Sequence, residues 1–259
     1  MKTQIQAGGP RMVNIGGCEL GGHTRIIVPL MGSSVDVVLG QIDALAGQPV
    51  DMVEWRADAM IAAMTGTPVN EVGATLVEAG RTVAASCPLP VIATIRTANE
   101  GGLAQLNDED YAHLVGLLAA VFPAVDVEIM REDAPGIIAA AHRAGAVVVA
   151  SNHDFDQTPD DDRLTEVFQL MNRGGADILK IACQAQSPFD VVRVLGAQVW
   201  ARAAFDRPII AIAMGEAGAI TRLSGSHLAS AATFATVGEA SAPGQMTAKQ
   251  TRMMLDLVG

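Results

Sequence analysis

Short apolar runs rich in Val and Ile alternate along the chain with longer Ala-rich segments whose apolar residues recur at helical spacing. Eight runs read as strands: 25–30, 52–56, 91–96, 125–129, 147–151, 178–182, 209–214 and 231–236. Several are almost continuously apolar, as strands buried on both faces must be. Residues 35–46, 109–122, 134–144, 163–173 and 189–204 read as amphipathic helices between them. Gly145, Gly174-Gly175 and Pro208 fall where helices stop or strands begin.

Strands that alternate with helices run parallel and connect by right-handed crossovers. Eight such units between residues 25 and 259 predict a single α/β domain, a closed (β/α)8 TIM barrel. An open doubly wound sheet is the alternative, but no GxGxxG follows the first strand. Residues 1–24 form a separate extension in this reading. There Gly16-Gly17 and Gly21-Gly22 flank Cys18-Glu19-Leu20, which predicts a small hairpin capping the bottom of the barrel.

Composition narrows the function. Half of the 259 residues are hydrophobic and the mean hydropathy is +0.31, enough for a large core and too much for a disordered chain. No apolar run approaches the ~18 residues of a membrane span. The start, Met1-Lys2-Thr3-Gln4-Ile5-Gln6, does not resemble a signal peptide. The expectation is a soluble cytoplasmic protein with no membrane partner. A net charge of -11 argues against nucleic acid as a partner, because phosphate contacts need a basic surface. An anionic ligand would need a local cluster of Arg. Cys18, Cys87 and Cys183 are odd in number and share no CxxC spacing, so neither a disulfide framework nor a metal site is expected.

The lysine count points to chemistry. The 17 basic residues include only three Lys, at positions 2, 180 and 249, leaving 14 Arg. Lys180 sits inside the apolar run Ile178-Leu179-Lys180-Ile181-Ala182. A strand-end lysine can simply snorkel to water. In an apolar strand near Arg side chains, a lowered pKa would instead leave some amine free to attack a ketone as a Schiff-base nucleophile.

Active sites of such barrels lie at the C-terminal strand ends. Glu54 and Arg56, Arg96 with Glu100, Glu128, His153, Lys180, Arg222, and the Pro/Gly loop holding Ser241 and Gln245 all fall at that end. His153 is the proton-shuttle candidate, since imidazole titrates near neutral pH. His23, His113, His142 and His227 lack this strand-end context. Arg56, Arg96 and Arg222 fit a carboxylate or polyol ligand, because a planar guanidinium forks onto oxygen pairs. Glu54 and Glu100 would hold those guanidinium groups or orient the histidine. Glu128 would pair with Arg in the barrel mouth, and residues 238–246 have the composition of a lid.

This constellation resembles the type I 3-dehydroquinate dehydratases. The matching pieces are Val53-Glu54-Trp55-Arg56, Thr94-Ile95-Arg96 with Glu100-Gly101-Gly102, Ser151-Asn152-His153-Asp154-Phe155, Ile178-Leu179-Lys180-Ile181-Ala182, Met214-Gly215 with Thr221-Arg222, and Ala231-Ala232-Thr233-Phe234 through Ser241-Ala242-Pro243-Gly244-Gln245. The resemblance implies a homodimeric barrel lyase of aromatic biosynthesis or quinate breakdown, using no cofactor and no metal. It implies that Lys180 forms an imine with the ketone of anionic 3-dehydroquinate, that His153 moves protons, and that Glu100 orients His153. It further implies that Arg222, Ser241 and Gln245 hold the substrate carboxylate and that Glu54, Arg56 and Arg96 grip ring hydroxyls. A lysine-dependent aldolase would share Lys180 but cleave a carbon–carbon bond, and a silent ligand-binding homologue would be expected to lack Lys180 or His153.

Overall fold

The computed structural model describes residues 11–238 and 245–258. Ten strands occur among them. β1 (Val13–Ile15) and β2 (Cys18–Leu20) pair antiparallel as a hairpin. The other eight are β3 (Arg25–Leu30), β4 (Met52–Arg56), β5 (Val91–Thr94), β6 (Ala124–Glu128), β7 (Val147–Asp154), β8 (Ile178–Gln184), β9 (Ile209–Met214) and β10 (Ala232–Phe234). They form one parallel sheet in the order β10-β3-β4-β5-β6-β7-β8-β9. The Ala231 amide donates to the Ile209 carbonyl at 2.8 Å, joining the two ends of that order. The chain is a (β/α)8 barrel.

Helices α1 (Val35–Asp43), α2 (Asp58–Ala63), α3 (Val69–Ser86), α4 (Asp108–Ala119), α5 (Ala134–Arg143), α6 (Asp161–Arg173), α7 (Pro188–Ala204) and α8 (Ala248–Val258) connect or follow the strands. Side-chain oxygens of Ser34, Asn107, Asp133, Asp160 and Ser187 accept from first-turn amides and so start α1, α4, α5, α6 and α7. The stretch between residues 56 and 91, unassigned in the sequence reading, folds as α2 and α3, and α3 buries Val72, Leu76, Ala79 and Val83 on one stripe.

Alternation along each strand separates two cores. Val53, Trp55, Ala93, Val125 and Leu179 pack outward among the helices. Ile27, Met52, Ile92, Ala124, Val149, Ile178 and Ile210 point inward and share a cluster with Val13, Ile15 and Leu20 of the hairpin. The hairpin therefore stoppers the lower end of the barrel, and polar side chains occupy the levels above.

Two strands run further than their apolar cores. β7 stays paired with β8 to Asp154↔Cys183, so its ladder continues past the apolar residues 147–150. His153 thus stands on a strand rather than in a loop, fixed by backbone pairing to Ala182. Among the described residues no helix is long and apolar enough to cross a membrane.

Candidate active site

Lys180 rises from β8 into the barrel and is 5 % exposed. Its Nζ donates to Glu54 Oε1 at 3.2 Å, lies 3.8 Å from Asp126 Oδ2, and sits 4.4 Å from the ring centroid of Phe234. The amine is thus ringed by two carboxylates and an aromatic face. Its ion-pair partners are Glu54 and Asp126; Arg96 shares Asp126 with it, and Arg56 and Arg96 act together with it on Glu54, so the Arg side chains expected nearby are present as well. Strand register brings this about, because Glu54 and Asp126 are inward positions of β4 and β6 at the level of Lys180. Glu54 also accepts from Thr94 Oγ1 at 3.1 Å. Burial would raise the Glu54 pKa, but Lys180, Arg56 and Arg96 outweigh it and hold the carboxyl below the usual range.

Arg96 is the hub of the acidic side of the barrel. Its Nη1 reaches Glu100 Oε2 at 3.2 Å, Glu128 Oε1 at 3.2 Å and Ser151 Oγ at 3.0 Å, and its Nη2 reaches Asp126 Oδ1 at 2.7 Å. Ser151 donates to the same Asp126 oxygen at 2.6 Å. Asp126 Oδ2 is buried without a hydrogen-bond partner and faces Lys180. Burial opposes the charge on Arg96, yet Asp126, Glu100 and Glu128 raise its pKa further. Glu128 pairs with Arg in the mouth, as expected: with Arg96, and with Arg131 at 3.3 Å. It also takes the Thr97 amide at 2.8 Å and the Thr97 hydroxyl at 2.7 Å.

Glu100 and His153 form the second working pair. Glu100 Oε2 lies 2.9 Å from His153 Nδ1 and accepts the His153 amide at 3.0 Å, while Oε1 accepts from Asn152 Nδ2 at 3.2 Å. Burial pushes Glu100 up to about 7 against the pull of Arg96. Burial and the charges of Arg96, Lys180 and Arg56 hold the imidazole well below its ordinary value. The ring is therefore neutral at physiological pH, with Nδ1 engaged by Glu100. The turn after Glu100 must be glycine. Gly101 has φ +74°, and a Cβ there would lie 2.3 Å from the Phe155 ring. A Cβ on Gly102 would lie 2.0 Å from the Arg96 carbonyl oxygen.

The remaining predicted residues divide. Arg56 spends Nε and Nη2 on Asp58, at 2.7 and 2.8 Å, so the protein itself occupies most of its fork. Arg222 is 3 % exposed in the 3-10 turn of residues 217–223, where Thr221 holds the turn by accepting the Ala213 amide and donating to the Gly218 carbonyl. Its Nε is buried without a partner, and no carboxylate among the described residues forms an ion pair with it. Burial alone lowers its pKa to about 10. A desolvated cation without a counter-charge is a ready anion receptor. Gln245 is half-buried just before α8; Ser241 and most of the expected lid lie outside the described residues. Among the described residues no group of three or more His, Cys, Asp or Glu could hold a metal ion.

Comparison with known proteins settles the family. The model of the type I 3-dehydroquinase family matches residues 26–259. This chain belongs to the type I 3-dehydroquinase family. A 3-dehydroquinate dehydratase from Klebsiella pneumoniae is 34% identical over 242 residues, which cover 92% of this chain and 94% of that protein. The crystal structure of a 3-dehydroquinate dehydratase from Geobacillus kaustophilus matches with a TM-score of 0.89 at 29% identity, covering 96% of this chain and 97% of that one. A type I 3-dehydroquinate dehydratase from Clostridium difficile, determined with covalently modified comenic acid, matches with a TM-score of 0.85 at 29% identity over 97% and 98% of the two chains.

Three members of this type I 3-dehydroquinase site were missed in the sequence reading. Asp126 was hidden in Val125-Asp126-Val127-Glu128, although a carboxylate two positions before Glu128 must share its face. Asp58 turns the corner from β4 into α2 to reach Arg56. Phe234 of β10 reads as core from composition but supplies the aromatic face over Lys180.

Proposed function

We propose that this enzyme dehydrates 3-dehydroquinate to 3-dehydroshikimate through an imine on Lys180, the step shared by aromatic biosynthesis and quinate breakdown. The observation that carries the reading is a buried amine on β8 with a Glu100-held imidazole on the adjacent strand β7. The Lys180 amine, once free of its extra proton, adds to the substrate ketone. Loss of water leaves an iminium. Glu54 and Asp126 flank that nitrogen and favour the positive charge it keeps.

The iminium withdraws electrons from the neighbouring carbon, so its proton becomes acidic. His153 takes that proton at Nε2, and the carbon–hydrogen pair becomes an enamine. Glu100 steadies the resulting imidazolium through the hydrogen on Nδ1. The enamine then expels the β-hydroxyl, to which His153 returns its proton, and the group leaves as water. Hydrolysis of the conjugated iminium frees the product and restores the amine. No external oxidant or reductant enters this balance.

Arg222 receives the substrate carboxylate, with Gln245 and Ser241 as additional donors. Arg56 and Arg96, largely committed to Asp58 and to the acidic hub, serve ring hydroxyls only through edges the protein leaves over. The three cysteines are free thiols, in keeping with a cytoplasmic enzyme. Turnover of 3-dehydroquinate, followed by the ultraviolet absorbance of the conjugated product, tests the reading. A purified folded chain with no turnover on that substrate would overturn it.

A further inference from the structure

The buried stripe of α7 runs Val191, Val194, Gln198, Ala201, at alternating three- and four-residue spacing. Its other members are apolar, as a helix packed on a barrel requires. Gln198 stands among them with no exposed surface. A buried side-chain amide is costly unless its polar atoms find partners. Here they do. Oε1 accepts the Ala211 amide at 3.1 Å, and Nε2 donates to the Leu228 carbonyl at 2.6 Å and to Ser224 Oγ at 3.3 Å. The Ala211 amide can only donate and the Leu228 carbonyl only accept, so the side chain has one orientation.

These partners lie at the seam where the barrel closes. β9 pairs with β8 along its whole length, from Leu179↔Ile209 to Gln184↔Met214. On its other edge the closure holds at Ile209, which bridges Ser230 and accepts the Ala231 amide. Further along β9 the Ala211 and Ala213 amides donate to side chains, Gln198 Oε1 and Thr221 Oγ1, rather than to a strand. Buried backbone amides must be paired, so these two side chains complete the strand edge. Between β9 and β10 runs the 3-10 turn of residues 217–223 that carries Arg222.

The two contacts bracket Arg222. Thr221, just before it, ties the turn to β9. Ser224 and Leu228, just after it, are tied to Gln198. The guanidinium adds little anchorage, since its Nε has no hydrogen-bond partner. The backbone that Gln198 grips is also strained. Ala229, which follows Leu228, has φ +67°, a left-handed conformation that a residue with a Cβ keeps only where its surroundings hold it.

We propose that Gln198 is a positioning residue for Arg222. By gripping Ser224 and Leu228 it sets the turn against β9 and so fixes where the anion receptor stands. Gln198 touches no ligand and acts through the turn alone. The inference rests on the proposed role of Arg222 as the carboxylate clamp.

Steady-state kinetics and product titration on Gln198→Met, Arg222→Ala and the double variant test it. Methionine matches the length of glutamine without its hydrogen bonds. Gln198→Met should raise KM and the product dissociation constant about fivefold or more, as loss of buried hydrogen bonds to a binding element does, with kcat within about twofold of wild type. If Gln198 acts through Arg222, the double variant should have no higher KM than Arg222→Ala alone. Should Gln198→Met fail to fold, Ser224→Ala removes only the longer contact and makes the same test. It should raise KM about twofold alone and add nothing to Arg222→Ala. A wild-type KM in Gln198→Met (or in Ser224→Ala where that stands in for it), or effects that multiply in the double variant, would overturn the inference while leaving the clamp intact. An unchanged KM in Arg222→Ala would remove the clamp and this inference with it.

Discussion

One oxygen of Glu100 serves His153 twice: Oε2 accepts the backbone amide at 3.0 Å and lies 2.9 Å from the ring nitrogen Nδ1. The carboxylate therefore fixes both where the ring stands and which nitrogen carries its proton.

That arrangement predicts a pH dependence. With Glu100 ionised, Nδ1 keeps its hydrogen and Nε2 is a base. With Glu100 protonated, the carboxyl donates to Nδ1 and the ring's hydrogen moves to Nε2, which can no longer accept one. Because burial lifts Glu100 to about 7, kcat/KM should rise as pH increases through about 7. In Glu100→Gln the limb should move to lower pH, since the His153 pKa is itself depressed. An acid limb left unmoved by the substitution would assign it to another group.

Borohydride added during turnover should reduce the iminium and place a stable adduct on Lys180. The chain has few competitors: Lys249 is exposed in α8 and Lys2 lies outside the described residues. An exposed lysine keeps its proton at neutral pH and is a poor nucleophile. Peptide mass spectrometry should find the label on residues 178–183. Lys180→Ala should lose labelling and nearly all turnover while still binding product. His153→Ala should still trap, slowly, and turn over very poorly. Labelling of Lys249, or near-normal rates in Lys180→Ala, would refute the mechanism while leaving the fold intact.

Arg222 is expected to act mainly on binding. A carboxylate clamp grips substrate and transition state alike, so Arg222→Ala should raise KM by roughly 2–4 kcal/mol of lost charge-assisted bonding and change kcat little. The same residue burdens the empty enzyme, because it is a buried cation without an ion-pair partner among the described residues. Arg222→Met, similar in volume and uncharged, should melt at a higher temperature than wild type without ligand, and gain less from added product. Calorimetry with and without product checks both halves, and a methionine variant that melts lower would contradict the second.

Asp126 should matter to stability as well as to rate. Asparagine would keep one acceptor for Ser151 but remove a charge from Arg96 and from the side of Lys180. Removing one partner of a buried ion pair costs about 3–5 kcal/mol, and the remaining carboxylates Glu100 and Glu128 place Asp126→Asn near the lower figure. Urea unfolding gives the number. A midpoint within error of wild type would show that Arg96 is held well enough by the other two.

The barrel was legible in the sequence because its strands are apolar on both faces, which leaves runs such as Ile209-Ile210-Ala211-Ile212-Ala213-Met214 that no surface strand would show. Lys180 was legible for the opposite reason, as a lone lysine inside an apolar run, and Glu100 and His153 as polar residues just beyond the ends of others. Contacts across the barrel were not. Arg96 meets Asp126 and Glu128 at sequence separations of 30 and 32, and only the register of β5, β6 and β7 decides which carboxylate stands level with which cation. The same blindness hid Glu54 and Asp126 as the ion-pair partners of Lys180. Glu100 was expected to hold an arginine and does reach Arg96, but Asp58 and Asp126, which come from a neighbouring helix and another strand, were not foreseen as the acids that occupy Arg56 and Arg96.

The hairpin under the barrel has a consequence for traffic. Val13, Ile15 and Leu20 close the lower end with apolar side chains, so Lys180 is reached from the upper rim. Entry and exit then share one doorway. Product has to clear the rim before the next substrate can descend, and with the proposed role of Arg222 the two would compete for that one cation. Added product should therefore inhibit competitively, with a slope effect in double-reciprocal plots and no change of intercept.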